Sequence, residues 1–307
     1  MRIAFDSRPA TDPRGIGRYV RCLLAALRST AGEHEVIEQH RPRNVDAYHS
    51  PWLDGAAAAT RCPQVVTLHD LIALKRPSEY LRGGLRFRLR YLAAQRAARV
   101  IVPTETVAGD VVARLGIDRA RVAVIPEAPA TAMRPRAARE VAAVRKRYSV
   151  PDEYLLCVGG LDHPDPRKRV AALAAAPREL PLVLVGATSP WAHELPGVLL
   201  TGQIDDDELA ALYTGARALV LSSDDEGFGL PPVEALACGT PVVACDVPAV
   251  REVLGERATF VARDDLAGLL AAAASACRPA PAPPAWTWED AARATWTVYA
   301  EAARMRP

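Results

Sequence analysis

Two glutamates, Glu226 and Glu234, lie eight positions apart in the segment DDEGFGLPPVEALACGTPVVACD, which spans residues 224–246. Between them, Gly227 and Gly229 allow the backbone to approach a ligand closely. The two prolines that follow suit the first turn of a helix, where their missing N–H would have no partner anyway. In isolation such a segment is ordinarily a turn before an exposed helix, so its chemistry depends on its surroundings.

The loop follows the apolar stretch ALVLSS and opens a helix, which places it at the carboxyl end of a predicted buried strand. Ligands of open α/β sheets bind at that edge, and a helix N-terminus binds anions through its N–H groups. A carboxylate accepts hydrogen bonds from vicinal hydroxyls, so Glu234 can hold a ribose and Glu226 a sugar on the two sides of a diphosphate. This order predicts a nucleotide-sugar. The backbone amides expected at the phosphate are those of Phe228, Gly229 and Leu230.

Alternating strand and helix patterns position this loop. They start with RIAF, which predicts a first strand instead of a signal peptide, and restart at YLLCVGG near residue 152. Repeated βα units with near-continuous apolar strands predict parallel sheets covered on both faces. We therefore expect an α/β protein with two domains, residues 1–150 and 151–286. After the Pro-rich linker RPAPAPPA, one last helix is expected within residues 287–307.

A basic cluster, RKR at residues 167–169, lies shortly after the strand YLLCVGG. Such a cluster is ordinarily a solvated helix start. Positive charge at a helix N-terminus opposes the helix dipole, however, which indicates an external anion. Lys168 is also one of only three lysines in the chain, the others being Lys75 and Lys146.

Two further segments end predicted strands with residues that can do chemistry. TLHD places His69 and Asp70 at a strand's carboxyl end, where a structural and a functional histidine are equally compatible with the pattern. DPRGIGRY places Gly15 and Gly17 between the first strand and the first helix. The dinucleotide-binding fingerprint would need a third glycine, which this loop lacks.

Taken in order, these segments resemble family 4 glycosyltransferases of the GT-B fold. EGFGLPPVEALACGTPVVACD resembles the family's E-x7-E signature, and VVTLHDLIALKRP resembles its strand that ends in His-Asp. GIGRYVRCLL, LLCVGGLDHPDPRKR and WTWEDAARATWTVY resemble other family segments in the same order, so the likeness covers essentially the whole chain. It implies two Rossmann-like domains facing across a cleft, with the C-terminal helix crossing back to the N-terminal domain.

The resemblance implies a retaining transfer of a hexose from a nucleotide-sugar to an acceptor hydroxyl, with neither a cofactor nor a metal. Arg167 and Lys168 are expected to contact the diphosphate, His69 to lie near the donor sugar, and Glu226 to orient the sugar hydroxyls. The amides of Gly15 and Gly17 are expected to approach the diphosphate. The remaining donor contacts, at the base, are expected from the backbone of Gly202, Gln203 and Ile204.

One departure from the family pattern leaves alternatives open. Many members carry an arginine directly after the glycine of this strand, where this chain has Gly160. A catalytically weak GT-B protein acting as a nucleotide-binding scaffold is one alternative, and a GT-B sugar-nucleotide epimerase is another. A PLP-dependent phosphorylase would need a Schiff-base lysine, and Lys168 is already assigned to phosphate.

Charge is distributed unevenly along the chain. Residues 1–150 carry 26 Lys and Arg against 14 Asp and Glu, a net +12, whereas residues 151–307 carry 12 against 22, a net −10. The positive charge of residues 1–150 favours binding to an anionic membrane surface or to an acidic acceptor. No nucleic-acid-binding motif accompanies the charge. The residues expected at that surface are Arg82, Arg86 and Arg90.

The cysteine content indicates the cellular compartment, and one short segment indicates the donor. Six cysteines without a CxxC pair or a histidine cluster predict reduced thiols in a cytoplasmic protein, peripheral at the inner membrane face if the basic surface binds lipid. The DPRK segment resembles mannosyltransferase-like members and favours GDP-mannose over a UDP-sugar as donor. The acceptor hydroxyl, on a glycan, a lipid-linked sugar or a small molecule, is left undetermined.

Overall fold

The structure is a computed structural model that describes residues 1–80 and 84–305, and in one helix, Gly84–Gln95, it describes side chains only from residue 89 onward. The chain divides into two compact units. The first consists of Met1–Ala128 together with Trp286–Pro307, and the second of Pro129–Ala285.

The first unit contains a parallel sheet with the strand order β2-β1-β3-β4-β5-β6. The strands β3 and β4 are buried along their whole length, as expected for a parallel sheet covered on both faces. The strands are β1 (Arg2–Phe5), β2 (Glu35–Glu38), β3 (Ala47–Ser50), β4 (Gln64–Thr67), β5 (Arg99–Val102) and β6 (Val122–Val124).

Helices connect these strands. Helix α5 shows how the sequence sets their ends: the Thr104 side chain accepts a hydrogen bond from the Val107 amide, and Gly116 closes the helix in the left-handed conformation. The helices of this unit are α1 (Gly15–Ser29), α2 (Ile72–Lys75), α3 (Pro77–Tyr80), α4 (Gly84–Gln95), α5 (Glu105–Leu115) and the C-terminal α13 (Trp288–Arg304), with 3-10 turns at Arg8–Thr11, Leu53–Gly55 and Arg119–Arg121.

The second unit repeats the design with the strand order β12-β11-β10-β7-β8-β9, again parallel. Its strands are β7 (Leu155–Val158), β8 (Leu182–Val185), β9 (Val198–Gly202), β10 (Ala218–Leu221), β11 (Val242–Cys245) and β12 (Thr259–Val261). Its helices are α6 (Ala138–Arg147), α7 (Val170–Ala175), α8 (Pro190–His193), α9 (Asp206–Gly215), α10 (Leu230–Ala237), α11 (Pro248–Leu254) and α12 (Leu266–Ala274), with a 3-10 turn at Gly255–Arg257.

Helix α13 completes the first unit, although 157 residues of the second unit precede it in the chain. A capping box between Thr287 and Asp290 starts it. The indole N–H of Trp296 then donates to the Thr30 hydroxyl at 3.2 Å, and Glu301 pairs with Arg99 of β5 at 3.0 Å. The C-terminal helix is therefore part of the first unit's structure.

The two parallel sheets and the returning helix confirm the α/β architecture expected from the sequence. The boundary differs, because residues 129–150 belong to the second unit and not to the first. Helix α6 packs on α9, with the Arg147 guanidinium and the Tyr148 hydroxyl both bonded to the Glu208 carboxylate. The Pro151 helix stop thus lies inside the second unit. No helix among the described residues is long and apolar enough to cross a membrane.

Gly17 offers a test of packing in the first unit. A Cβ at this position would lie 1.9 Å from the Asp12 carbonyl oxygen, so Gly17→Ala forces the backbone apart and is expected to destabilise the unit by about 1–3 kcal/mol or more. Urea unfolding followed by tryptophan fluorescence measures this, because four of the five tryptophans belong to the first unit. The matched control is Gly109→Ala in helix α5, where a Cβ meets no atom within 4 Å. Equal stability of the two variants would contradict the expected clash.

Candidate active site

The carboxyl ends of β7, β8 and β9 meet through three glycines. The Gly159 amide donates to the Val185 carbonyl at 3.0 Å, and the Gly186 amide donates to the Gly202 carbonyl at 3.2 Å. A Cβ on Gly186 would lie 1.8 Å from the Gly159 carbonyl oxygen, so these backbones approach too closely for any side chain. Gly202, one of the residues predicted at the base, therefore lies at the same sheet edge as the β7 loop.

Lys168 lies against this edge. A Cβ on Gly159 would be 3.0 Å from the Lys168 Nζ, so the ammonium group lies beside the glycine that follows β7. The side chain is half-buried. Among the residues that the structure describes, Lys168 has no ion-pair partner, so its half-buried charge can interact with an anion.

Arg167 lies between two carboxylates. Its Nε is 3.0 Å from an Asp165 oxygen, and its Nη1 is 3.0 Å from a Glu226 oxygen. All three side chains are less than a fifth exposed, so these ion pairs are stronger than pairs on the open surface. The structure thus brings together Arg167 and Glu226, the residues that are predicted at the diphosphate and at the sugar.

Hydrogen bonds join the loop before α7 to the loop after β10. The Asp224 amide donates to the Arg167 carbonyl at 3.0 Å, and the Ser222 hydroxyl donates to the Lys168 carbonyl at 2.6 Å. Arg169 adopts φ +50°, and its side chain returns to the Ser222 carbonyl. The Ser223 hydroxyl donates to the Glu226 carboxylate at 2.7 Å. These bonds fix the basic cluster relative to the first glutamate.

Helix α10 begins directly after its N-cap Gly229, which has φ +93°, a backbone conformation that glycine adopts without strain. Phe228 is buried, and Leu230 begins the helix, so the three amides predicted at the phosphate lie at its N-terminus. Glu234 lies one turn further on. It is 2% exposed, and its carboxylate accepts a hydrogen bond from the buried Tyr213 hydroxyl at 3.3 Å.

In the first unit, His69 follows β4 and is held at both ring nitrogens. Nδ1 is 3.0 Å from a Glu127 carboxylate oxygen, and Nε2 is 3.0 Å from the Pro51 carbonyl oxygen. Burial acts to lower the pKa of His69, but the hydrogen bond and charge of Glu127 outweigh it and raise the pKa above its ordinary value. The ring also meets Tyr19 edge to face, with centroids 4.6 Å apart.

A second buried histidine, His49, lies nearby in β3. Its Nε2 is 2.8 Å from the Thr67 hydroxyl, and its Nδ1 is 2.6 Å from the Tyr299 hydroxyl of α13. Burial, with a smaller contribution from the charge of His69, lowers the pKa of His49 to about 3. His49 is therefore neutral at neutral pH and connects the sheet to the C-terminal helix.

The two glycines of the first loop differ in environment. Gly15 begins α1 and is exposed, so its amide remains at a helix N-terminus. Gly17 is buried, and its contact with the Asp12 carbonyl gives it a packing role that is sufficient to require glycine. Of the other base-site residues, Gln203 and Ile204 directly follow β9.

Sequence reasoning missed four residues of these sites. Asp165 lies two positions before Arg167, and its carboxylate is the signal that was available. Glu127 ends the strand pattern VAVIPE, so its place at a strand's carboxyl end could have identified it. Ser223 and Tyr213 gave no comparable signal, since serine and tyrosine are ordinary in these elements.

The expected basic surface is described only in part. Arg82 lies outside the described residues, and the Arg86 side chain lies outside the described side chains. Arg90 forms an ion pair with Asp54 at 2.6 Å, so its charge is balanced within the unit. On the same helix, Leu89 and Leu92 are nearly half exposed.

A cavity of about 540 Å³ is separate from these residues. It is lined by residues 57–64 and 95–98 and by Arg121, which lie at the starts of β4, β5 and β6, and by Met305, which follows α13. The cavity therefore lies at the amino ends of the strands, the edge opposite to the one where such sheets bind ligands. No cluster of three or more His, Cys, Asp or Glu that could hold a metal ion occurs in the described part of the chain.

Comparison with known proteins identifies the family. Residues 152–278 match the family described as Glycosyl transferases group 1, and residues 34–128 match Glycosyltransferase Family 4. A D-inositol 3-phosphate glycosyltransferase of Xylanimonas cellulosilytica is 31% identical over 93% of this chain and 76% of its own length. The chain belongs to glycosyltransferase family 4.

Other members of this family match over a smaller share of their length. The serotype-specific mannosyltransferase WbdA of Escherichia coli is 31% identical over 65% of this chain, which spans only 27% of WbdA. Solved structures also match nearly the whole chain, and two are given as examples. Sucrose-phosphate synthase of Thermosynechococcus elongatus has a TM-score of 0.71 at 21% identity, covering 99% of this chain and 97% of that one. HepE of Anabaena, solved with UDP and glucose, has a TM-score of 0.70 at 16% identity, covering 98% and 95%. These likenesses confirm the expected GT-B fold.

The neutral His49 predicts a pH dependence of stability. Its folded-state pKa of about 3 lies below the ordinary value of 6.5, so below pH 6.5 the unfolded chain binds a proton that the folded protein does not. This group's stabilisation is complete above pH 6.5 and is lost as the pH falls towards 3, with a slope approaching about 1.4 kcal/mol per pH unit. We expect the free energy of unfolding, measured with urea, to decrease less steeply between pH 6.5 and 5 in His49→Gln than in wild type. His163→Gln, at an exposed histidine, is the control, and a wild-type slope in His49→Gln would refute a neutral buried His49.

Proposed function

We propose that this family 4 protein is a retaining glycosyltransferase that moves a hexose from a nucleotide-diphosphate sugar to an acceptor hydroxyl. GDP-mannose is the first donor to test and a UDP-sugar the second. The name of WbdA, a mannosyltransferase, supports the first, and the UDP and glucose bound to HepE support the second. The acceptor belongs to a glycan, a lipid-linked sugar or a small molecule.

The observation that carries the proposal is the cationic pair at the carboxyl edge of the second sheet. Lys168 presents a half-buried ammonium group with no ion-pair partner in the described part of the chain, and the adjacent Arg167 lies 3.0 Å from the Glu226 carboxylate. A diphosphate bound beside these residues interacts with the positive charges of Lys168 and Arg167. A sugar attached to that diphosphate then lies within reach of Glu226. Preorganised charge of this kind stabilises the negative charge that develops on a departing nucleotide.

The reaction proceeds on the front face of the donor sugar. The bond between the anomeric carbon and the diphosphate oxygen breaks, and the acceptor oxygen bonds to the same carbon on the same face. The acceptor proton passes to the departing phosphate oxygen, so atoms and charge balance without a covalent enzyme intermediate. Glu226 orients the sugar hydroxyls and stabilises the positive character of the ring, and Glu234 holds the ribose.

Arg167 links donor binding to the state of Glu226. Arg167 forms ion pairs with both Asp165 and Glu226. A bound diphosphate competes for the guanidinium, which leaves the Glu226 carboxylate to accept hydrogen bonds from the sugar. Asp165 retains the arginine in position during the exchange, since its own hydrogen bonds to the Arg167 amide and Nε are independent of Glu226.

Metal-independent transfer is part of the proposal, because Arg167 and Lys168 supply the charge that a metal ion supplies in other transferases. Transfer is then insensitive to EDTA. The proposal also places the enzyme in the cytoplasm, where nucleotide-sugars are used. The basic first unit then faces an anionic lipid surface or an acidic acceptor.

The first experiment measures thermal unfolding with and without saturating UDP, GDP, dTDP and ADP. A nucleotide at about 100 times its dissociation constant adds roughly 2.7 kcal/mol to the folded state, which raises the unfolding temperature by several degrees. One nucleotide that stands out identifies the base and selects the panel of sugars for a transfer assay. No shift with any nucleotide at millimolar concentration would contradict the diphosphate site.

Charge-neutral variants test the assigned roles. Arg167→Gln is expected to weaken nucleotide binding by roughly tenfold to a hundredfold, because a hydrogen bond to a charged group contributes about 1.5–3 kcal/mol. Glu226→Gln is expected to bind nucleotide normally and to lower the transfer rate about a hundredfold or more. Calorimetry and an initial-rate assay measure these two effects.

Arg251→Gln is the matched control, since Arg251 forms an exposed ion pair with Asp246 in the same unit. A Glu226→Gln protein with unchanged biological function would favour the nucleotide-binding scaffold. Interconversion of sugar-nucleotides without release of nucleotide would favour the epimerase.

A further inference from the structure

We infer that Glu127 is a positioning residue that holds His69 as a doubly protonated imidazolium, so that His69 carries a fixed positive charge and does not act as a base. The kinetic part of this inference rests on the proposed glycosyl transfer. The structural part concerns only the first unit.

The hydrogen bonds of the ring decide its protonation. The Pro51 carbonyl oxygen can only accept, so Nε2 carries a proton and donates to it at 3.0 Å. The Glu127 carboxylate lies 3.0 Å from Nδ1, and one proton must lie between these two atoms. Because the ordinary pKa of imidazole exceeds that of a glutamic acid, that proton lies on the nitrogen. Both ring nitrogens are then protonated.

The surroundings of the pair stabilise this state. Glu127 is 4% exposed, and a buried carboxylate without a partner is costly, so it requires the positive ring. Asp70, the next residue after His69, adds a second negative charge that favours the imidazolium. Tyr19 packs its ring against the histidine from α1, and burial raises the pKa of its hydroxyl, so it remains neutral.

His49, on β3, shows that burial alone does not set the charge. Its partners are the Thr67 and Tyr299 hydroxyls, which both donate and accept, and its pKa is lowered to about 3. The positive charge on His69 also disfavours a proton on His49. Two buried histidines of the same unit therefore hold opposite charge states, and the difference arises from the carboxylate of Glu127.

The charge state determines what His69 can do in the reaction. An imidazolium with both N–H groups bonded has no lone pair, so it cannot accept the proton of the acceptor hydroxyl. That proton must leave by another route, which the front-face transfer to the departing phosphate oxygen supplies. His69 contributes a fixed positive charge and a fixed ring orientation, both set by Glu127.

A direct test is nuclear magnetic resonance of protein labelled with [15N]histidine. His69→Gln assigns the signals of His69 by their loss, and five other histidines serve as internal comparison. At pH 7 we expect both His69 nitrogens to resonate in the protonated region and His49 to show one protonated and one unprotonated nitrogen. An unprotonated Nδ1 in His69 at pH 7 overturns the inference, because the proton would then lie on Glu127.

Kinetics provide the second test. If His69 acts as an imidazolium, kcat/KM decreases as the pH rises through its pKa, whereas a catalytic base would give an increase. Glu127→Gln is expected to move this alkaline decrease to lower pH, because burial then acts on the ring without the opposing carboxylate. Glu127→Asp keeps a carboxylate, so its alkaline decrease in kcat/KM is expected at a pH between those of Glu127→Gln and wild type. A purely structural role for Glu127 does not predict this partial recovery. His163→Gln, an exposed substitution in the other unit, is the control that leaves the profile unchanged.

The proposed transfer and the charge state of His69 are decided by separate measurements. An absence of transfer with every donor removes the proposed function but leaves the resonance result to decide the charge of His69. Transfer that increases with pH through the His69 pKa overturns the inference while the glycosyltransferase assignment stands. If Glu127→Gln does not fold, the wild-type spectrum and the sign of the wild-type pH profile still decide the question.

Discussion

The ion pair between Arg167 and Glu226 is the interaction on which the candidate donor site depends. The two residues come from different βα loops, and their side chains meet at 3.0 Å with little exposure to solvent. Two further hydrogen bonds join the same loops, from the Asp224 amide to the Arg167 carbonyl and from the Ser222 hydroxyl to the Lys168 carbonyl. Asp165 and these hydrogen bonds hold the charges that are predicted to contact the diphosphate, and charge held in position is the condition for effective electrostatic stabilisation.

In both units, the residues with candidate functions lie at the carboxyl edge of the parallel sheet, but the residue types differ. Parallel strands bring their carboxyl ends to one edge, and the side chains that follow them converge there. In the second unit, Arg167, Lys168 and Glu226 lie at this edge, together with glycines whose backbones are in close contact. In the first unit it collects His69 and Glu127, whose pairing raises the pKa of His69, with Tyr19 packed on the ring. Helix α13 belongs to this arrangement, since its Tyr299 hydroxyl bonds to His49.

Glycines in this chain are required for two different reasons, a positive φ angle or a close contact with another backbone. Gly229 has φ +93° and caps α10, so its backbone conformation favours glycine. Gly186 and Gly17 are required by close contacts with carbonyl oxygens, at 1.8 Å and 1.9 Å from the position of a Cβ. Gly17 and Gly229 each end a GxG pattern, which looks the same in the sequence in both cases. Only the neighbours in space distinguish a glycine that admits a ligand from one that admits another backbone.

The sequence alone predicted the two parallel sheets and, through its resemblance to a family, the family itself and the returning helix, whereas the residues assigned to the candidate site stay predictions. Local periodicity, helix caps and the E-x7-E spacing carry that information, because they depend on residues close together in the chain. The tertiary structure decided which charges pair. Arg167 meets Glu226 across 59 positions, and His69 meets Glu127 across 58. It also decided that residues 129–150 belong to the second unit. The protonation of His69 and His49 followed from their hydrogen-bond partners, which no spacing in the sequence specifies.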